Sequence, residues 1–197
     1  GDGVLAPDRG AVIIANHQST IDILGITYIW QVANNCIIVS KKLMMYVLTC
    51  GICMYLCGSI FIDRNNPKEA YEQLETKSKT KIFIFPEGTR NRDLTKLLRF
   101  KKGAFAIAVA SQVPIIPVVF SPYYFINHEK QIFNKGHVII QCLEAVPTEG
   151  LTMDDLPDLM DRIYNIMDRT YKELLSEVKS TLPPNYPIAL PESEHTD

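Results

Sequence analysis

The sequence predicts an α/β fold: a mixed, largely parallel sheet flanked by helices, in a single membrane-associated domain. Short apolar runs rich in Ile, Val and Phe recur along the chain, and segments with helical periodicity lie between them. A chain of 197 residues, 47% of them hydrophobic, can bury about two thirds of its unfolded surface around one core. Residues 1–182 are expected to form that domain, with 183–197 as a flexible, polar and proline-rich tail.

The first run, Ala11-Val12-Ile13-Ile14-Ala15, is short, branched and uncharged, as suits a buried strand. Further runs at 36–40, 59–62, 82–85, 115–120 and 138–143 read the same way. Ser19-Thr20-Ile21-Asp22 fits the S/T-x-x-D pattern that opens a helix, and Ile23, Leu24 and Ile26 continue it at helical intervals. Asn66-Pro67 supplies a cap and a first-turn proline for a helix over Lys68 to Ser78. Lys102 to Gln112 is Ala-rich and apolar and predicts another. The last helix has the clearest signal, because Met160, Ile163, Met167, Tyr171, Leu174 and Val178 recur every three or four residues.

From Leu43 to Ile62 the chain runs twenty residues without a charge, between Lys41-Lys42 and Asp63-Arg64. That is the length of a membrane span, but a span would put His17 and Arg64 on opposite sides of the bilayer. If the two share a site, a helix of about ten residues from Lys42, a turn, and a strand ending at Ile62 fit better, with apolar surface dipping into one leaflet. An ordinary buried helix and strand is the plainer alternative.

Charge and cysteine content narrow the function. Twenty Lys and Arg against 22 Asp and Glu give a formal charge of −2, which excludes a general polycation for nucleic acid, so any anion site must be local. Five cysteines, an odd number in a chain of this size, point to reduced thiols. Cys50, Cys53 and Cys57 lie in the apolar stretch without a nearby His or acid, which favours packing over metal or redox work. There is no N-x-S/T sequon, and His128 and His137 lack metal-ligand spacing, so no metal site is expected.

Three stretches carry candidate chemistry. In NHQSTID, residues 16 to 22, His17 sits five residues before Asp22 on a strand-to-helix turn. Asp22 could close a capping box and leave His17 a loop histidine; alternatively the two form a dyad in which the carboxylate holds one ring nitrogen while the other acts as general base. GSIFIDR, residues 58 to 64, and FPEGTR, residues 85 to 90, each end a predicted strand with an arginine, and ligands of α/β sheets sit beyond such strand ends. Arg64 and Arg90 could grip a phosphate, with Gly88 admitting the ligand to the backbone and Thr89 adding a hydroxyl. Glu87 would repel phosphate, so it is expected to order a donor or accept a hydrogen bond from substrate. The plain reading of each arginine is a surface salt bridge. Lys101 and Lys102 add charge where a helix starts, or simply form a solvated face. VPIIPVV, residues 113 to 119 and including Pro117, is a core strand or a wall for an alkyl chain.

Taken in order, NHQSTID, GSIFIDR, FPEGTR and VPIIPVV resemble the four blocks of the glycerolipid acyltransferases, specifically the 1-acylglycerol-3-phosphate (lysophosphatidate) acyltransferases. The resemblance implies that His17 is the catalytic base with Asp22 its partner. It also implies that Arg64, Glu87, Gly88, Thr89 and Arg90 form the acceptor-phosphate region, with Asn16, Lys101, Lys102 and Pro117 as additional site residues. The implied reaction moves an acyl group from acyl-CoA, a co-substrate, to lysophosphatidate, giving phosphatidate with no cofactor. The implied setting is the membrane surface, at the endoplasmic reticulum facing the cytosol. Family members usually carry hydrophobic helices ahead of the His block, so a preceding segment and part of the acyl-chain site are expected to be missing. Leu43 also replaces a glutamate common after the basic pair. The same blocks would serve an acyltransferase for glycerol 3-phosphate or another lysophospholipid, or a catalytically silent lipid-binding homologue.

Overall fold

The computed structural model describes residues 2–5, 9–33, 36–41, 60–62, 80–127, 131–183 and 186. Within them the order is α1 (Asp2–Leu5), β1 (Ala11–Ala15), α2 (Asp22–Val32), β2 (Cys36–Lys41), β3 (Ile60–Ile62), β4 (Lys81–Ile84), α3 (Gly103–Ala110), β5 (Ile115–Phe120), β6 (Ile126–Asn127), β7 (Ile132–Phe133), β8 (Ile140–Cys142) and α4 (Leu156–Ser180). Six strands form one sheet in the order β3-β2-β4-β1-β5-β8, while β6 and β7 form a separate hairpin. All pairings in the large sheet are parallel except β5 with β8. The α/β class is therefore as predicted.

Alternation along β1 builds two apolar layers. Val12 and Ile14 face one side, where α3 and α4 supply Phe105, Ala108, Ile163, Met167, Tyr171 and Leu174. Ala11, Ile13 and Ala15 face the other, with Ile26 and Ile29 of α2 and with Phe83, Val118 and Phe120. A parallel strand covered on both faces has no polar side, which explains the unbroken apolar runs. Ile14 pairs with Ile84 of β4 and with Pro117 of β5, so these strands run out at one edge of the sheet.

The structure differs from expectation in places. The helix after NHQSTID starts at Asp22 rather than at the serine, because Asp22, Ile23 and Leu24 N–H bond to the carbonyls three residues back, a tight first turn. β4 begins at Lys81 and leaves Phe85 beyond its end. Pro117 is buried inside β5, and its carbonyl accepts the Leu143 N–H, 2.9 Å. It belongs to the core and not to the site. The β6–β7 hairpin was unforeseen, since two-residue strands carry no periodicity. The 43–59 part of the uncharged stretch, the 68–78 helix, Arg64 and nearly all of the tail lie outside the described residues. Tyr186 is described; its hydroxyl donates to the Lys135 carbonyl at 2.6 Å. Among the described residues no helix is long and apolar enough to cross a membrane.

Candidate active site

Two residues past β1, His17 meets the loop that leaves β4. Its N–H donates to Glu87 Oε1 at 2.9 Å, and its carbonyl accepts the Asn91 N–H at 2.7 Å. On either side the chain is tied to the end of β5. Asn16 donates from Nδ2 to the Phe120 carbonyl at 3.1 Å and accepts the Phe120 N–H at Oδ1, 2.8 Å. Buried Gln18 donates from Nε2 to the Ser121 carbonyl, 3.0 Å, and accepts from the Tyr123 N–H and the Tyr171 hydroxyl. Both flanks are fixed, and the Phe85 ring stacks on the imidazole at 4.0 Å between centroids.

Asp22 satisfies both readings of the motif with a single oxygen. Its Oδ2 lies 2.6 Å from His17 Nδ1 and also accepts the N–H groups of Gln18, 2.8 Å, and Ser19, 3.1 Å. An ionised carboxylate only accepts, so Nδ1 is the donor of this pair and Nε2 is the ring nitrogen left over. The carboxylate is 1% exposed and the imidazole 23%, so the orienting partner is dry while the ring reaches the surface. The serine hydroxyl takes only a long bond from the Ile21 N–H, 3.4 Å, and the capping box is thus half made.

Glu87 does not face outward as a phosphate or substrate group. It is 2% exposed, and its oxygens accept the backbone N–H groups of His17 and Leu98, the latter at 3.0 Å. It joins the histidine loop to the 88–102 loop. Burial pushes its carboxyl up to about 7 against the two N–H donors that favour the anion, and the Asp22 charge adds to the rise.

Gly88 has φ +71°, the left-handed region, and a Cβ there would lie 3.0–3.1 Å from the end of the Lys101 side chain. Lys101 is thereby brought over the loop, while its N–H donates to the Pro86 carbonyl at 2.8 Å. Thr89 and Arg90 are exposed just beyond, and so are Arg92, Arg99 and Lys102. None of these five cations, Lys101 included, forms an ion pair among the described residues; Lys96 alone in this loop pairs with Asp93. Lys102 caps α3 through its backbone, without a side-chain bond. Among the described residues no three His, Cys, Asp or Glu side chains group as metal ligands.

The structure thus brings together His17, Asp22, Glu87, Gly88, Thr89, Arg90 and Lys101, with Asn16 as a clamp behind them. Gln18, Phe85, Asn91 and Tyr123 were not foreseen. Gln18 and Phe85 sit inside the quoted motifs, but neither titrates, and their partners lie far away in sequence.

The acyltransferase family model matches residues 2–121, which hold the dyad, the cationic loop and β5. The chain is 40% identical over 170 residues to human 1-acyl-sn-glycerol-3-phosphate acyltransferase beta, covering 83% of this chain and 60% of that protein. It is 35% identical over 178 residues to the human alpha enzyme, covering 87% and 62%. It therefore spans about three fifths of the length of these curated relatives. Among solved structures, the 1-acyl-sn-glycerophosphate (LPA) acyltransferase PlsC from Thermotoga maritima superposes with a TM-score of 0.67 at 27% identity, over 88% of this chain and 70% of the other. Sheet order, motif order and family match converge: the chain belongs to the acyltransferase family.

Proposed function

We propose that this chain transfers an acyl group from acyl-CoA to the free hydroxyl of 1-acylglycerol 3-phosphate, forming phosphatidate. The observation that carries the proposal is the His17 Nδ1 to Asp22 Oδ2 contact of 2.6 Å, with the ring reaching the surface and the following loop carrying exposed cations that form no ion pair among the described residues. His17 Nε2 takes the proton of the acceptor hydroxyl, and Asp22 stabilises the imidazolium that forms. The acceptor oxygen attacks the thioester carbonyl, the tetrahedral intermediate collapses, the C–S bond breaks, and coenzyme A leaves as the thiol with the proton from His17. Transfer is direct in this reading: the side-chain partners of the imidazole among the described residues are Asp22 and Phe85, and neither is a Ser or Cys nucleophile. Arg90, Thr89 and Lys101 hold the acceptor phosphate, together with Arg64, which the motif order assigns to the same region.

The names of the relatives support this acceptor, and the four sequence blocks support the acyl-CoA donor. Both substrates are amphiphiles, so the reaction belongs at a membrane surface, and the resemblance to eukaryotic members favours the cytosolic face of the endoplasmic reticulum. Ile23, Leu24 and Tyr28, exposed on α2 next to the dyad, support a lipid-facing side.

The test is free-thiol release from oleoyl-CoA by protein in detergent or liposomes, with and without lysophosphatidate. Acceptor-dependent release is expected, falling roughly 10²- to 10⁴-fold in His17→Ala with the fold retained. Folded protein that releases no thiol under either condition would remove the proposal.

A further inference from the structure

One face of the His17 imidazole is covered by an aromatic ring. Phe85 lies nearly parallel to it, at 16° between planes and 4.0 Å between centroids. The sheet builds this placement: Ile14 of β1 pairs with Ile84 of β4, so the two chains leave their strands side by side, Phe85 following one and His17 the other. Buried Phe83 meets the Phe85 ring edge-on, at 5.2 Å and 84°. The Phe85 carbonyl accepts the Gly88 N–H at 3.1 Å, closing the turn from which Glu87 takes the His17 N–H at 2.9 Å. One turn thus carries the Phe85 ring and grips the backbone that bears the imidazole. Two neutral aromatic rings gain most when offset or edge-on, because near-parallel overlap sets one negative face against another. A cation over such a face, within about 6 Å of the centroid, is attracted instead. The stack therefore suits the imidazolium better than the neutral ring. Asp22 meets the imidazole at the edge atom Nδ1, so the two groups act on it from different directions.

We propose that Phe85 is a positioning residue for acyl transfer, acting through His17: its ring face receives the imidazolium that forms when His17 takes the acceptor proton. This deepens the proposed function and rests on its dyad. The stack strengthens as positive charge develops on the imidazole, so it lowers the barrier more than it stabilises the free enzyme. A plain core role would be different, because any apolar side chain of similar bulk would then serve.

Phe85→Leu keeps apolar bulk and removes the aromatic face. The first readout is the ¹⁵N NMR spectrum of the His17 imidazole in the substrate-free protein, assigned with His17→Gln and recorded at several pH values between about 5 and 8. It reports the charged ring whether or not the chain transfers acyl groups. At equal pH the doubly protonated share should be smaller in the variant than in the wild type. Thiol release should fall roughly three- to tenfold in kcat on the alkaline plateau of its pH profile, with KM for lysophosphatidate unchanged. An unchanged charged share in the folded variant would overturn the proposal, even if kcat fell. A wild type that releases no thiol would remove the acyl-transfer reading, and the spectra would still decide whether Phe85 favours the charged ring. If Phe85→Leu does not fold, pentafluorophenylalanine placed at 85 keeps the outline of the ring and inverts the charge of its face. The charged share should fall there too, and no change would equally overturn the role.

Discussion

At the residue scale, the turn that carries His17 is held by backbone and side-chain bonds from other loops, and Glu87 is the member of that set whose carboxyl is shifted by burial. It accepts the His17 and Leu98 N–H groups, and burial raises it to about 7 from an ordinary 4.5. Between those two values the folded protein binds more protons than the unfolded chain, so the Glu87 contribution to stability falls as pH rises through the window. Above it the anion is present in both states and the loss is complete. A shift of that size is worth roughly 3 kcal/mol as an upper figure. Glu87→Gln should abolish this slope, and it leaves one of the two N–H groups facing an amide NH₂, loosening the His17 turn. Urea unfolding at several pH values between 5 and 8 reads it: the wild type should lose stability relative to the variant as pH rises. A difference between the two proteins that does not vary with pH would show that Glu87 is not the titrating group.

At the element scale, the seat of α2 on the end of β5 sets where the Asp22 carboxylate sits. A Cβ at Gly25 would fall 2.2 Å from Phe120 Cε1 and 3.2 Å from Ile140 Cδ1, and Phe120 is fully buried with its backbone clamped by Asn16. Gly25→Ala gains about 1 kcal/mol in helix propensity but overpacks a site that cannot yield, at roughly 1–3 kcal/mol or more. The clash should prevail, so thermal unfolding is expected at lower temperature, with kcat reduced because Asp22 is moved. A stabilised variant would mean that α2 slides freely. The same elements show what a sequence can and cannot display. β1 and β5 are legible because burial on both faces leaves unbroken apolar runs, and α4 because one face alone is buried over 25 residues. His17 and Asp22 are legible because they lie five residues apart at a strand-to-helix turn. Gln18 is not, because its meaning is a bond to Ser121, 103 residues away, and Phe85 acquires its role only when β4 is laid beside β1. Glu87 was expected to order a donor or to accept a hydrogen bond from substrate; that its donors are backbone amides of two loops is a fact of packing alone.

At the scale of the whole molecule, a formal charge of −2 coexists with a cluster of exposed cations at the site. The last helix holds that loop in place from the far end of the sequence: Tyr164 donates to the Leu97 carbonyl at 3.0 Å, and Tyr171 to the Leu94 carbonyl at 3.3 Å and to Gln18 at 3.4 Å. The loop is thereby fixed relative to the dyad, and its charge acts locally. With a Debye length of about 8 Å at physiological salt, a phosphate at the loop is felt by Arg90 and Lys101, while the net negative charge of the remainder is screened. Binding of an anionic acceptor should therefore weaken with salt, whereas proton transfer at His17, in direct contact with the buried Asp22, should not. In neutral-detergent micelles, KM for lysophosphatidate is expected to rise several-fold between roughly 50 and 300 mM NaCl at constant kcat. Arg90→Ala and Lys101→Ala should each raise KM at low salt and flatten its dependence on salt, since the charge that salt screens has been removed. Arg169→Ala, on the exposed face of α4 and paired with Glu173 at 3.9 Å, should leave the slope as it was. A salt slope that all three variants share with the wild type would place the phosphate elsewhere on the chain and leave the cationic loop without this role.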